Sequence, residues 1–265
     1  MSLRVVFIEI LQRGIGLAVY WIIPILFFSI SSLFSILGIG GSVLYIPILH
    51  WLGLDFQTEA IPLGLLLNII SSSTAAMTYI KNKLVNWEVA IPFGVAMILF
   101  APLGAWLNMH ASTGPVMLSF STFMVASSIS MAIDWQTQWR TRVSFQRLIW
   151  ILSGSLMGFL TGLTGRGGGS VVMPLLYMLG MDLRTAAATS AIVITGGGLS
   201  SLLSHLALAA RPDVLLWALS GASVFLGSRT GSLFMVRTNN PKGLQYIVSG
   251  LLVAMAVMLA AESLV

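Results

Sequence analysis

Long apolar runs separated by short polar interruptions occupy most of the 265-residue chain. Apolar runs at 14–37, 43–53, 58–80, 88–109 and 113–133 precede a polar connector at 134–147, which carries Asp134, Arg140, Arg142 and Arg147. Runs at 148–164, 170–180, 185–207, 213–235 and 243–262 follow it. Eight of these reach the roughly 17–25 residues that a spanning helix needs. The pieces 43–53 and 170–180 are too short to cross alone. The runs are continuous rather than alternating with period two, so the backbone satisfies itself as helices and not as a closed barrel.

The second half repeats the first. At an offset of 127 positions, Gly38–Ala60 lies over Gly165–Ala187 without a gap, and ten of 23 pairs are identical. Composition alone would give about one or two such identities. Among them are Gly40/Gly167, Gly41/Gly168, Pro47/Pro174, Gly53/Gly180, Asp55/Asp182 and Thr58/Thr185; farther along, Gly94 pairs with Gly221 and Gly104 with Gly231. The expected architecture is therefore all-α: a polytopic membrane protein of about eight transmembrane helices in two homologous halves. Residues 1–137 form the first repeat with its amino-terminal segment, and 138–265 form the second. Each half carries a Gly-rich broken or re-entrant helix.

Composition agrees with this pattern. Hydrophobic residues make up 57% of the chain and charged residues 8%, and the mean hydropathy is +0.96. A soluble domain carries about 25% charged residues, so the solvent of this chain is lipid. The net charge of +5 comes from basic residues scattered between apolar runs, which excludes a nucleic-acid surface. There are no cysteines, hence no disulfide, thiolate metal site or cysteine nucleophile. Residues 1–13 do not form a cleavable signal, because Glu9, Gln12 and Arg13 interrupt the apolar stretch.

The basic residues predict orientation. With a cytoplasmic amino terminus and four crossings per half, Arg4, Arg13, Lys81, Lys83, Arg140, Arg142, Arg147 and Arg211 lie inside, and Arg184, Arg237 and Lys242 outside. Both termini are then cytoplasmic, and an even count makes the halves parallel repeats. Full crossings by 43–53 and 170–180 would make them inverted, but about eleven residues reach only about 17 Å.

The breaks carry the candidate chemistry. Gly167–Gly169 and the related Gly40, Gly41 release backbone N–H groups that a bilayer cannot satisfy. Such a break persists where it is buried in protein or lines a wet cavity, and bare glycine lets a ligand approach closely. Ser42 and Ser170 stand where they can cap the helix that follows, whose positive end favours an anion. Two intramembrane arginines, Arg166 and Arg229, are functional candidates by default; snorkelling to an interface is the plainer alternative. Asn68 aligns with Thr195, and either can face a break or satisfy its own helix. Asp55 and Asp182, each three residues before a Thr, read as helix caps. Gly154, Gly158 and Gly162 at four-residue spacing read as a helix-packing face, and His50, His110 and His205 as interfacial.

No triad, HExxH, paired-carboxylate or Walker motif occurs, so the chain reads as neither an enzyme nor an ATPase. No metal or cofactor is expected.

With GIGG…P and GRGGGSVVMP repeated within an eight-span chain, the sequence resembles the sulfite exporter TauE/SafE family over about 14–262. Motif position carries over Gly40, Gly41 and Pro47, then Gly167, Gly168, Gly169 and Pro174; Ser42 stands where a third glycine would be. The resemblance implies a transporter of small sulfur-containing or organic anions such as sulfite, sulfoacetate and other sulfonates, in a bacterial inner membrane. The expected function is a secondary transporter working outward, with backbone donors at the breaks, Arg166 and Arg229 supplying charge, and a proton or other ion as coupling partner. An anion channel with the same filter and a non-transporting scaffold are the alternatives, and homo-oligomerisation stays open. The expected partners are a small anion and the lipid bilayer.

Overall fold

The computed structural model describes residues 22–108, 143–164, 169–205 and 214–238, with scattered positions in 122–133 and 243–257. The described elements are helical: α1 (Ile22–Ile36), α2 (Ser42–Trp51), α3 (Ile61–Lys81), α4 (Trp87–Asn108), α5 (Val143–Thr164), α6 (Gly169–Met178), α7 (Leu183–His205) and α8 (Val214–Arg237). A single π-turn, Phe56–Ala60, leads into α3. Among the described residues three helices are long and apolar enough to cross a membrane: Gln57–Lys81, Trp87–Leu107 and Leu183–Ser204. The first crossing expected at 14–37 is described only from Ile22. The runs expected at 113–133 and 243–262, and both termini, lie largely or wholly outside the described residues. The connector expected to run to 147 is shorter, because α5 already begins at Val143.

Element bounds recur at the offset seen in the sequence. Ser42–Trp51 and Gly169–Met178 are 127 positions apart at both ends, and both are followed by a turn with glycine in the left-handed region, Gly53 and Gly180, each at φ +96°. There Gly53 N–H bonds to His50 O at 2.9 Å and Leu54 N–H to Leu49 O at 3.2 Å, while Gly180 N–H bonds to Tyr177 O at 3.0 Å and Met181 N–H to Leu176 O at 3.2 Å. This is the paired capping that a left-handed glycine makes possible. Next, Asp55 Oδ1 accepts from Thr58 N–H at 2.8 Å and Asp182 Oδ2 from Thr185 N–H at 3.0 Å, the helix-cap role expected of both acids. Thr58 holds the exposed Asp55 carboxyl below its ordinary range, the backbone bond first and the hydroxyl bond second.

Glycine sets the closest helix crossings. A Cβ on Gly154, Gly158 or Gly162 of α5 would lie 2.3, 2.4 or 1.9 Å from the carbonyl oxygen of Phe93, Met97 or Ala101 of α4. Gly154, Gly158 and Gly162 are thus the packing face expected of them. Gly104 of α4 approaches Phe159 O of α5, and Gly231 of α8 approaches Ser32 O of α1, each to 1.9 Å of a built Cβ. Phe159 and Ser32 are themselves 127 positions apart.

The same contacts give the sense of each helix. Ser31 and Ser35 of α1 meet Ser71 of α3, and Ser35 O accepts from Tyr79 OH, so α1 and α3 run the same way. Ser42 of α2 meets Asn68 and Ile46 meets Gly64, so α2 runs back against them. α8 follows α3, through Ser71–Ser228 and Thr78–Ser232. α7 opposes α3, through Asn68–Gly198 and Ser72–Thr195. α4 runs with α7, Gly94 by Val193 and Ile98 by Gly196, and α5 runs with α4.

The first helix described in each half of the sequence, α1 and α5, therefore point in opposite directions. This corrects the expectation of parallel halves. The break after α1 packs against the middle of α3 and α2 returns beside α1, so α1 and α3 share one sense where four crossings per half would oppose them. The expected sorting of basic residues changes with it. The end of α3 (Lys81, Lys83), the start of α5 (Arg147), the start of α7 (Arg184) and the end of α8 (Arg237) all lie at one end of the bundle. Arg184 Nη2 donates to Thr238 O across it. Arg184 and Arg237 thus join Lys81, Lys83 and Arg147 instead of facing them across the bilayer.

Candidate functional site

The site is the break between α1 and α2. α1 ends because Gly38 adopts φ +62°, and Gly38 N–H bonds to Ser35 O at 3.3 Å while Ile39 N–H bonds to Phe34 O at 3.2 Å. Gly38 is also held sterically, since a Cβ there would meet Ala187 O at 1.9 Å. Its own carbonyl accepts from Ser190 Oγ at 2.8 Å. Every residue from Phe34 to Val43 is buried, so this interruption is non-helical backbone enclosed in protein.

Gly40 has φ +69°, and a Cβ on it would lie 2.0 Å from Asn68 Oδ1. Asn68 comes from α3 and is completely buried. Its oxygen faces Ser42 N–H at 3.5 Å, which leaves the Nδ2 end without a hydrogen-bond partner. Gly198 of α7 faces that end, with a built Cβ 3.4 Å from Nδ2. Among the described residues the N–H groups of Gly40 and Gly41 find no backbone acceptor. A buried amide N–H without an acceptor is costly and calls for an explanation. Here several donors converge at one helix N-terminus, where the helix dipole adds positive potential.

The position of each predicted site residue follows. Gly40, Gly41, Ser42 and Asn68 come together. Ser42 does not cap α2: it is the first helical residue, Gly41 is the N-cap and carries no side-chain bond, and Ser42 N–H is taken up by Asn68 instead. Thr195 lies next to the site, bonding Ser72 Oγ at 2.9 Å and Ala191 O at 2.7 Å, so it satisfies its own helix and ties α7 to α3. Arg166, Gly167 and Gly168 lie outside the described residues, and Gly169 and Ser170 are the first two residues of α6, with Gly169 inside the helix rather than the break.

Arg229 is not brought to the site. It is exposed on the stripe of α8 that carries Phe225 and Leu226, while Ser220, Gly221, Val224, Gly227, Ser228, Gly231 and Ser232 face inward. An arginine without a carboxylate partner is costly to bury, and here it is left outward.

Sequence reasoning missed a buried hydroxyl cluster beside the break. Ser31 Oγ donates to Val224 O at 2.7 Å, Ser35 Oγ to Ser228 Oγ at 2.7 Å, and Ser228 Oγ to Ser71 O at 2.6 Å. The available signal was the i, i+4 spacing of Ser31/Ser35 and Ser228/Ser232 on otherwise apolar helices. Among the described residues no charged side chain is buried, and no group of three or more His, Asp or Glu could hold a metal. The side-chain donors gathered at the break are neutral.

Comparison with known proteins agrees with a membrane role. The family described as "Sulfite exporter TauE/SafE" matches residues 23–259. A "probable membrane transporter protein" of Methanocaldococcus jannaschii is 30% identical over 185 residues, covering 68% of this chain and 69% of the relative. One of Sinorhizobium fredii is 27% identical over 248 residues, covering 91% and 95%, and one of Bacillus subtilis is 24% identical over 237 residues, covering 76% and 87%. No solved structure matches.

Proposed function

The chain belongs to the sulfite exporter TauE/SafE family, and from that premise we propose that it is a secondary transporter of small sulfur-containing or organic anions. Sulfite and sulfoacetate are the substrates the reading favours, moved outward across the inner membrane. The observation that carries it is the buried Asn68 amide, whose unpartnered Nδ2 lies beside the left-handed Gly40 at the N-terminal end of α2. A small anion accepts from several such donors at once, and a desolvated site strengthens each contact.

In this reading α1–α2 and α5–α6 are two re-entrant pairs of an inverted repeat, one on 1–137 and the other on 138–265. The second break, with Arg166 and Gly167–Gly169, completes the cradle from the other side. Arg229 has no part in it. Access alternates as one half rocks against the other about the α3–α7 contact, with a proton or another ion as coupling partner. The basic end of the bundle, with Lys81, Lys83, Arg147, Arg184 and Arg237, faces the cytoplasm.

The test is a thermal-stability screen of the purified protein against sulfite, sulfoacetate, taurine, thiosulfate and sulfate. Stabilisation by sulfite or sulfoacetate that disappears in Asn68→Ala supports the reading. The same response in both proteins, or no response to any anion, rejects it.

A further inference from the structure

Tyr45 sits one turn beyond the break and is completely buried. Its ring lies over bare Gly41, where a built Cβ would be 2.2 Å from Cζ and 2.4 Å from the hydroxyl oxygen. Phe27 holds the ring from α1, with centroids 4.8 Å apart at 51°. The hydroxyl has no hydrogen bond of ordinary geometry, although Ser31 and Ser71 stand close to it. Those serines bond within their own cluster: Ser31 donates to Val224 O at 2.7 Å, and Ser71 Oγ pairs with Ser35 Oγ at 3.0 Å. The serine cluster closes without the tyrosine.

Phenylalanine would fill the same space without desolvating a hydroxyl. The break is therefore flanked by two buried side-chain donors without partners, Tyr45 Oη over Gly41 and Asn68 Nδ2 by Gly40. Both are neutral.

We propose that the Tyr45 hydroxyl is a second side-chain donor to the guest at the break, and that this neutral pair selects a singly charged sulfonate-type head over a doubly charged oxoanion. The proposal rests on the anion reading above. The cost of taking an ion out of water rises with the square of its charge. The attraction of the cradle, Arg166 and the helix N-terminus included, rises only in proportion to the guest's charge, so the roughly fourfold desolvation cost of a second charge is not matched. Gly41 then has a definite task, since any side chain there would push the hydroxyl out of the break.

The experiment titrates the purified full-length protein calorimetrically with methanesulfonate and with sulfate, tetrahedral sulfur heads carrying one and two charges. The wild type is expected to bind methanesulfonate more tightly. Tyr45→Phe is expected to melt no lower than wild type without ligand, yet to bind methanesulfonate roughly tenfold more weakly, the loss of one hydrogen bond to a charged acceptor. Ser228→Ala, which breaks the cluster at its bonds to Ser35 Oγ and Ser71 O, is expected to keep wild-type affinity. Unchanged affinity in Tyr45→Phe overturns the proposal, as does an equal loss in Ser228→Ala, which would make the effect one of packing. Wild-type binding of sulfate as tight as of methanesulfonate also overturns it while leaving the anion reading intact. Wild-type binding of neither anion rejects both.

Discussion

The side-chain oxygen of Asn68 lies 2.0 Å from where a Cβ of Gly40 would stand. The two residues exclude any side chain at position 40, and Gly40 is also at φ +69°. Gly40→Ala is therefore expected to destabilise by about 2 kcal/mol or more, from left-handed strain and a clash with a buried amide. Adding Asn68→Ala relieves the clash but not the strain. The double variant should lose less stability than the sum of the single losses, in a denaturation cycle on the detergent-solubilised protein.

The crossing of α4 and α5 is equally intolerant. A Cβ on Gly158 would be 2.4 Å from Met97 O, so Gly158→Ala must push two backbones apart. We expect a loss of about 1–3 kcal/mol and failure to accumulate for Gly158→Leu, read by melting temperature and membrane yield.

One position offers a gain. Lys83 is the one non-glycine residue with positive φ among those described, at +56°. It ends α3 as Gly53 ends α2, with Lys83 N–H bonding Ile80 O at 3.0 Å and Leu84 N–H bonding Tyr79 O at 3.1 Å. A β-carbon in that conformation costs about 1–2 kcal/mol, part of which glycine returns through its freer unfolded chain. Lys83→Gly is expected to stabilise by up to about 1 kcal/mol, visible as a higher melting temperature.

The turn after α2 makes stability depend on pH. Asp55 has a lowered folded-state pKa, chiefly through the Thr58 amide and then its hydroxyl. A depressed carboxyl contributes stability that is present above its unfolded value, about 3.9, and is lost as pH falls through the folded value. The stability difference between wild type and Asp55→Ala should therefore be constant near neutrality and shrink as pH drops below about 4. A difference that grows on acidification would contradict this.

The shared end of Lys81, Lys83, Arg147, Arg184 and Arg237 gives a topological prediction. The chain has no cysteine, so single-cysteine variants report cleanly. Lys83→Cys and Arg237→Cys are expected to be shielded from an impermeant thiol reagent added outside intact cells, and Gln57→Cys, at the opposite end, to be labelled. Opposite behaviour of positions 83 and 237 would contradict the helix senses described above.

Much of this fold is legible in the sequence because its determinants are local. The apolar runs, the Asp55–Thr58 and Asp182–Thr185 caps, and the 154, 158, 162 packing face each follow from residue type and spacing. The sense of the helices is not local. Whether α2 continues α1 or returns beside it depends on where Gly38 and Gly40 turn the chain, and on Asn68 and Gly64 receiving α2 from α3. Run lengths cannot report that, so the halves looked parallel. The site shows the same division. Gly40 and Gly41 announce themselves as glycine in an apolar run, whereas Tyr45 looks like any core aromatic until its hydroxyl is found without a partner. Arg229 misleads for the converse reason: its charge is conspicuous in the sequence, but the outward stripe of α8 carries it.

The most direct test of the account is sulfoacetate counterflow in proteoliposomes carrying wild type or Asn68→Ala. The account predicts saturable counterflow in wild type, with uptake driven by unlabelled substrate on the far side, and at least tenfold less at the same substrate concentration in the variant, as expected when a donor to a charged group is removed. Equal counterflow from both proteins, with the variant folded, would contradict the claim that the break beside Asn68 holds the anion.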